Sequence, residues 1–374
     1  MSSRASGAHT LEPSDLSIMN YRPFGCTSLT LSELCLGTMH FGWSTDEPTS
    51  GAILDAFHDS GGTYVQAVSA SRDAVNAQAL SAFSEIVVGR WHTRRGVARR
   101  ELVLGTQWTP PTGRGTPGVT EEVRATMEES LRRLQTDYLD ILVVRWPDGG
   151  APEALRTALD AIVRRGLVRY VVLANAPSWR VVELMRDGLA QVHCRFEGVQ
   201  VDYSLLARTG LEPELARVCD AHRLAVIARS PLAGGALSGS QGLRPARRDW
   251  LAVRYADSCR SRVSFVLHEI ARERGESTAQ VALAWVLHNR QVASAILGVN
   301  AVGQLHELVR AAALTLSAPE LERLHAASAA QQVLMPPRGA PGVRASATAA
   351  AAAERRPMAW SAAFPPRWNR PVCP

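Results

Sequence analysis

The feature that most limits how this chain can fold is an alternation, sustained over most of its length, between short apolar runs and longer stretches of helical period. Apolar runs at Leu34–Gly37, Val65–Val68, Leu102–Thr106, Tyr138–Val144, Val168–Leu173, Gly198–Val201, Leu224–Ala228 and Ala295–Gly298 read as buried strands. Between them lie amphipathic stretches such as Glu121–Leu134, Pro152–Arg164, Ser178–Leu189 and Ala279–Leu287. Thr120 is placed to cap the first of these, with acids in its opening turn and arginines in its last, as the helix dipole favours. Gly275 breaks the late helical region in two. Strands that alternate with helices in this order form a parallel sheet, and eight such units close into a single (β/α)8 TIM barrel. The opening segment Tyr21–Ser32, turning at Gly25, reads as an N-terminal hairpin able to cap the barrel bottom.

This pattern divides the chain into a flexible extension over residues 1–19, a barrel over 20–330 and a tail over 331–374. The tail changes composition to Pro, Ala and Arg without apolar period, which reads as an irregular C-terminal extension. Its rings Trp360, Phe364 and Trp368 suit either covering a groove or meeting a neighbouring subunit. A hydrophobic content of 46% supports a sizeable core. The net charge is +6, but basic and acidic residues are interspersed, and no zinc-finger, RNP or phosphate-loop pattern occurs. Nucleic acid is therefore not an expected partner. No run reaches the length of a membrane span, and the first residues lack the apolar core of a signal peptide, so a cytoplasmic protein without membrane contact is expected. Six cysteines at wide spacings, with no CxxC, fit free thiols rather than a metal site.

The chain contains no lysine: all 41 of its basic Lys+Arg residues are arginine. Schiff-base chemistry is thereby excluded, and no ammonium can depress the pKa of a neighbouring phenol.

Several segments, taken in order, carry a resemblance: YRPFGCTSLTLSELCLGTMHFG, SLRRLQTDYLDILVVRWPD, LVRYVVLANAPSW, VQVDYSLL, SPLAGGALSG and STAQVALAWVLHN. Across Tyr21–Ala329 the chain resembles an aldo-keto reductase. The resemblance implies a barrel that binds NADP(H) in an extended pose and reduces aldehydes or ketones at the C-terminal mouth of its strands. It also implies a catalytic group in which a tyrosine donates a proton, a lysine and an aspartate tune it, and a histidine orients the substrate. In DSGGTYVQAVSASR the aspartate position is Gln66 and the tyrosine position Ser71. In LVLGTQW the lysine position is Gln107, and in LDILVVRWPD the histidine position is Arg145. Neither a serine nor a glutamine is an acid or base near neutral pH, so the usual carbonyl reduction is not expected from this group.

The cofactor positions implied by the same resemblance are partly kept. Asn175 and Gln200 stand where the family bonds the nicotinamide amide, although Ala174 replaces the preceding serine. Ser230, Leu232, Gly234 and Leu237 resemble the pyrophosphate loop, while Arg229 replaces the aromatic that stacks on the nicotinamide. Gln304 and Glu307 follow the adenosine-phosphate pattern, Leu308 replaces its asparagine, and Asn300 brings no charge for a 2′-phosphate. NADP and NAD both remain candidate cofactors, with no metal.

Within the mouth, Arg145 reads either as a clamp for a carboxylate, phosphate or enolate oxygen, or as a surface residue paired with Asp148. Arg229 reads either as a second anion contact or as part of a structural ion pair, and Asp202 reads as a carboxylate at the mouth, a loop cap or a partner for an arginine. His40 and Trp43, in HFGW, are candidates for a replacement acid–base group and a substrate wall. The functional expectation is a divergent member acting on a small anionic or carbonyl-bearing metabolite by non-standard chemistry. The alternatives are an inactive ligand-binding or interaction protein, and an ordinary NADPH-dependent carbonyl reductase.

Overall fold

A computed structural model describes residues 19–69, 82–110, 116–145, 152–188, 194–239, 251, 254–255 and 257–329. The chain opens with strands β1 (Tyr21–Pro23) and β2 (Thr30–Ser32), an antiparallel hairpin. Eight parallel strands then close into a barrel. They are β3 (Leu34–Gly37), β4 (Tyr64–Val68), β5 (Val103–Trp108), β6 (Leu139–Arg145), β7 (Val168–Ala174), β8 (Phe196–Asp202), β9 (Ala225–Arg229) and β10 (Val292–Leu297). The last strand pairs with the first, Ala295 beside Leu34, which closes the ring.

The surrounding helices include α1 (Glu47–Asp59), α2 (Ala82–Arg95), α3 (Thr116–Leu134), α4 (Pro152–Arg164), α5 (Ser178–Gly188) and α6 (Glu214–His222). Four more follow: α7 (Asp257–Arg274), α8 (Thr278–His288), α9 (Val302–Arg310) and α10 (Ala318–Ser328). Their starts have local causes. Asp46 caps α1 by accepting from the Thr49 N–H at 2.8 Å. Ser277 with Gln280, and Ser317 with Glu320, form reciprocal capping boxes on α8 and α10. Every residue of α8 from Ala279 to Leu287 is buried, as expected of a helix that is apolar all round.

Two expectations shift. Helix α3 begins at Thr116, so Thr120 lies inside it rather than at its N-cap; Pro117 fits the first turn, where no intrahelical donor is lost. The last strand begins at Val292, three residues earlier than its longest apolar run suggests, because Val292 and Ser294 pair with Val226 and Ile227 of β9; buried Ser294 is satisfied by donating to the Ser32 carbonyl at 2.8 Å. The extension over residues 1–18 and the tail from residue 330 lie outside the described residues.

Side-chain parity separates two cores. One parity packs against the helices, and the other fills the barrel with Cys35, Tyr64, Val103, Ile141, Val143, Val172, Ala225 and Ile227. The hairpin seals the N-terminal end. Phe24 and Leu31, both fully buried, join the inner cluster, and Phe24 meets the Tyr170 ring edge-on at 5.9 Å. Arg22 fixes this floor through donation to the carbonyls of Leu287 and Val292, each at 2.7 Å, and to Glu33 at 2.9 Å. With that end closed, the open mouth is at the strand C-termini.

Candidate functional site: the barrel mouth

The inward-facing parity that supplies the barrel core continues upward into polar residues. Above Tyr64 comes Gln66; above Ile141 and Val143 comes Arg145; above Ala225 and Ile227 comes Arg229. Gln107 pairs with Val143, Ala174 with Arg145, and Gln200 with Ala174, so one ring of strand ends carries the predicted positions. Ser71 lies outside the described residues, as does Asp148.

At the centre is a buried hydrogen-bonded chain. Gln66 Oε1 accepts from the Tyr64 hydroxyl at 2.8 Å and from Gln200 Nε2 at 2.8 Å. Gln66 and Gln200 are nearly inaccessible to solvent. Burial pushes the Tyr64 phenol well above its ordinary pKa, with Cys35 and Asp140 adding to the effect, so it is held as a neutral donor. Gln200 Oε1 is buried without a hydrogen-bond partner among the described residues. An orphaned acceptor at this depth is costly unless a donor arrives from outside.

The second cluster is ionic. Asp202 and Arg229 are direct cross-strand partners on β8 and β9. Arg229 donates to both Asp202 oxygens, from Nε at 2.7 Å and Nη2 at 3.0 Å, and its Nη2 also reaches Asn175 Oδ1 at 3.4 Å. Arg254 donates to the same carboxylate, at the Oδ2 that Arg229 Nη2 also reaches. Asp202 is thus paired with arginine, one of the roles its sequence position suggested. Arg254 was not foreseen, because it sits in a segment without recognisable pattern. Arg145 is exposed at the end of β6 and forms no ion pair among the described residues. Arg145, Arg229 and Arg254 against Asp202 leave two positive charges in excess at this rim.

The loops after the strands add rings. Trp43 is 57% exposed and stacks with His40, centroids 6.3 Å apart. Trp179 is 61% exposed beneath the Arg180 guanidinium. Trp179 lies in the first turn of α5, five residues past the end of β7, and that closeness to a strand end was the signal available for it.

Residues able to face a dinucleotide are also placed. Asn175 and Ser230 both adopt left-handed backbone, at φ 59° and 53°. The turn after Leu232 continues through Ala233, Gly234 and Gly235, all with positive φ. The Ala233 and Gly235 N–H groups of this turn donate to the Ser230 and Leu232 carbonyls, at 2.8 and 2.9 Å. Helix α9 starts at Val302 behind Ala301, which provides no side-chain cap. Gln304 Oε1 accepts from the Asn300 N–H at 2.9 Å, and Glu307 is half-buried one turn on. The start of α9, without a side-chain cap, fits the phosphate end of a dinucleotide. At the ring end the orphaned Gln200 oxygen fits a carboxamide donor, while Asn175 Oδ1 accepts from Arg229 at 3.4 Å. Among the described residues, no group of three or more His, Cys, Asp or Glu side chains is arranged to hold a metal, and no helix is long and apolar enough to cross a membrane.

Comparison with known proteins agrees with this architecture. The chain is 32% identical over 323 residues to the uncharacterized oxidoreductase YrpG of Bacillus subtilis, covering 82% of this chain and 95% of that protein. It is 30% identical over 341 residues to protein tas of Escherichia coli, with coverage of 82% and 97%. It is 27% identical over 311 residues to the norsolorinic acid reductase of Aspergillus flavus, with coverage of 79% and 77%. A sequence model of the Aldo/keto reductase family matches residues 33–329, and the chain belongs to that family.

Proposed function

We propose that this barrel is a divergent oxidoreductase of the family, binding NADP(H) or NAD(H) and acting on a small metabolite that carries an anionic group beside its carbonyl. The observation that carries the reading is the charge at the mouth: Arg145 is exposed without an ion pair among the described residues, on the same rim as the Asp202-bound pair Arg229 and Arg254. A planar guanidinium holds a carboxylate or phosphate through two parallel hydrogen bonds. The exposed rings of Trp43 and Trp179 would wall the body of such a substrate.

In this reading Gln66, Ser71, Gln107 and Arg145 stand at the family's catalytic positions, and none is an acid or base near neutral pH. When bound, a reduced nicotinamide supplies the hydride. Arg145 holds the anionic group beside the carbonyl, and the proton that completes the alcohol comes from water rather than from a phenol. Asn175 and Gln200 hold the carboxamide, Ser230, Leu232 and Gly234 hold the pyrophosphate, and Gln304 and Glu307 meet the adenosine end. His40, beside Trp43, is the one described mouth residue of a type that titrates near neutral pH.

The test combines calorimetric titration of NADPH with turnover of a 2-oxo acid and its neutral aldehyde counterpart. The expected result is NADPH binding, a preference for the anionic carbonyl, and loss of that preference in R145A. Lysine at the same position should restore it only in part. Equal turnover of neutral and anionic carbonyls, unchanged in R145A and lost in S71A, would return the protein to ordinary carbonyl reduction. No NADPH binding would leave a ligand-binding barrel without redox chemistry.

A further inference from the structure

A cavity of about 320 Å³ lies at the other end of the barrel, between the hairpin turn, the start of β8 and the C-terminal ends of α5 and α6. Its wall is apolar, formed by Leu184, Met185, Phe196 and Ala221. Its rim is basic, with Arg195, His222 and Arg223. The volume falls at the small end of the roughly 300–1,000 Å³ of ligand sites. The two arginines differ in how they are engaged. Arg195 donates to the His222 carbonyl and lies 3.8 Å from Glu197. Arg223 forms no ion pair among the described residues and is exposed. Its backbone is left-handed, φ 52° and ψ 44°, at the end of α6, where glycine is the unstrained choice. An arginine here costs local strain and sits at the rim of an apolar cavity without an ion pair among the described residues.

We infer that this floor cavity is a second ligand site, taking a small amphiphilic anion with an apolar body in the cavity and one carboxylate or sulfonate on Arg223. The site is independent of the mouth, because the inner core and the Phe24–Leu31 plug separate the two ends. The thiols beside it serve different purposes. Cys194 is held protonated, its pKa pushed up to about 12 by burial and by Asp160, so it belongs to the wall chemistry. Cys26, exposed in the hairpin turn, is the natural reporter of occupancy.

The experiment uses the full chain with 8-anilinonaphthalene-1-sulfonate as the fluorescent probe and octanoate as the competitor. One saturable site is expected, displaced by octanoate and not by octanamide, and unaffected by saturating NADP+. R223A should weaken the probe about three- to tenfold, the range of an exposed charge-assisted contact. A221W, which fills the cavity from an exposed helical position, should abolish the site while preserving the circular dichroism spectrum. Octanoate should also slow maleimide labelling of Cys26 in the unaltered protein, a readout that does not depend on either variant folding. Unchanged probe binding in A221W, equal displacement by octanamide, or no protection of Cys26 would each overturn the inference.

Discussion

Replacing Asp202 with asparagine separates the structural task of the mouth carboxylate from its effect on ligands. The side chain keeps its shape, but the cross-strand partner Arg229, at 2.7 and 3.0 Å, and Arg254 lose their counter-charge. Breaking a buried pair costs about 3–5 kcal/mol, and an exposed pair contributes about 1 kcal/mol or less. Asp202 is 14% exposed while the arginines are 30% and 36% exposed, so the loss in D202N falls between, at roughly 1–3 kcal/mol. For a chain this long that lowers Tm by about 2–4 °C per kcal/mol. Ligand binding moves the other way. A phosphate seated about 6 Å from the carboxylate is repelled by about 2.8 kcal/mol at an effective dielectric of about 20, cut to roughly 1 kcal/mol by the half-open mouth and physiological salt. D202N is therefore expected to melt earlier yet bind inorganic phosphate about fivefold more tightly, an advantage that shrinks as salt rises. Thermal denaturation and isothermal titration at low and high salt measure both effects. An unchanged Tm would show that Asp202 does not hold the two arginines. Unchanged phosphate affinity at low salt would show that the rim charge does not reach ligands.

Gln66→Leu strands two buried donors, Tyr64 Oη and Gln200 Nε2, and should cost about 2–5 kcal/mol in urea denaturation; adding Y64F should recover part of it. Gly89→Ala places a methyl group 2.2 Å from the Arg133 carbonyl oxygen and against the Leu134 backbone, so α2 must leave α3, at a cost of roughly 3 kcal/mol or more. Poor recovery of folded protein, or a strongly lowered denaturation midpoint, is the expected reading. Arg274 Nε and Nη2, at 2.5 and 2.8 Å, with Ser317, hold the Glu320 carboxyl down at about 2. Its stabilisation is therefore fully present above the ordinary pKa near 4.5 and is lost as pH falls toward about 2; E320Q should flatten the stability curve across that window and weaken the α10 cap by about 1 kcal/mol at neutral pH.

The barrel was legible because strands buried on both faces are written as continuous apolar runs, and Pro152–Arg164 appears with the bounds its pattern gives. Strand ends were less legible where the mouth begins. Trp108, Arg145, Asp202 and Arg229 remain in ladder register past the last residues of the runs, because pairing depends on backbone and not on polarity. The contact between Asp202 and Arg229 spans 27 residues in sequence and depends on the relative stagger of β8 and β9, which no local pattern encodes. Gln66 was visible as a position but not as an acceptor shared by Tyr64 and Gln200, since that requires inward side chains from two strands to meet. The floor cavity draws on four segments whose apposition follows only from barrel closure.

The floor clamp has a consequence for biosynthesis. Arg22 leaves the ribosome well ahead of its carbonyl partners Leu287, Asn289 and Val292, which follow 265 to 270 residues later. At about 5–20 residues per second that interval is on the order of tens of seconds. Until β10 emerges, β3 and β9 both expose unpaired ladder edges, and the Phe24 plug has only part of its seat. Between the emergence of β9 and that of β10 the nascent sheet is therefore open at two edges, and chaperone binding to the nascent chain is expected to fall when Val292–Leu297 clears the exit tunnel.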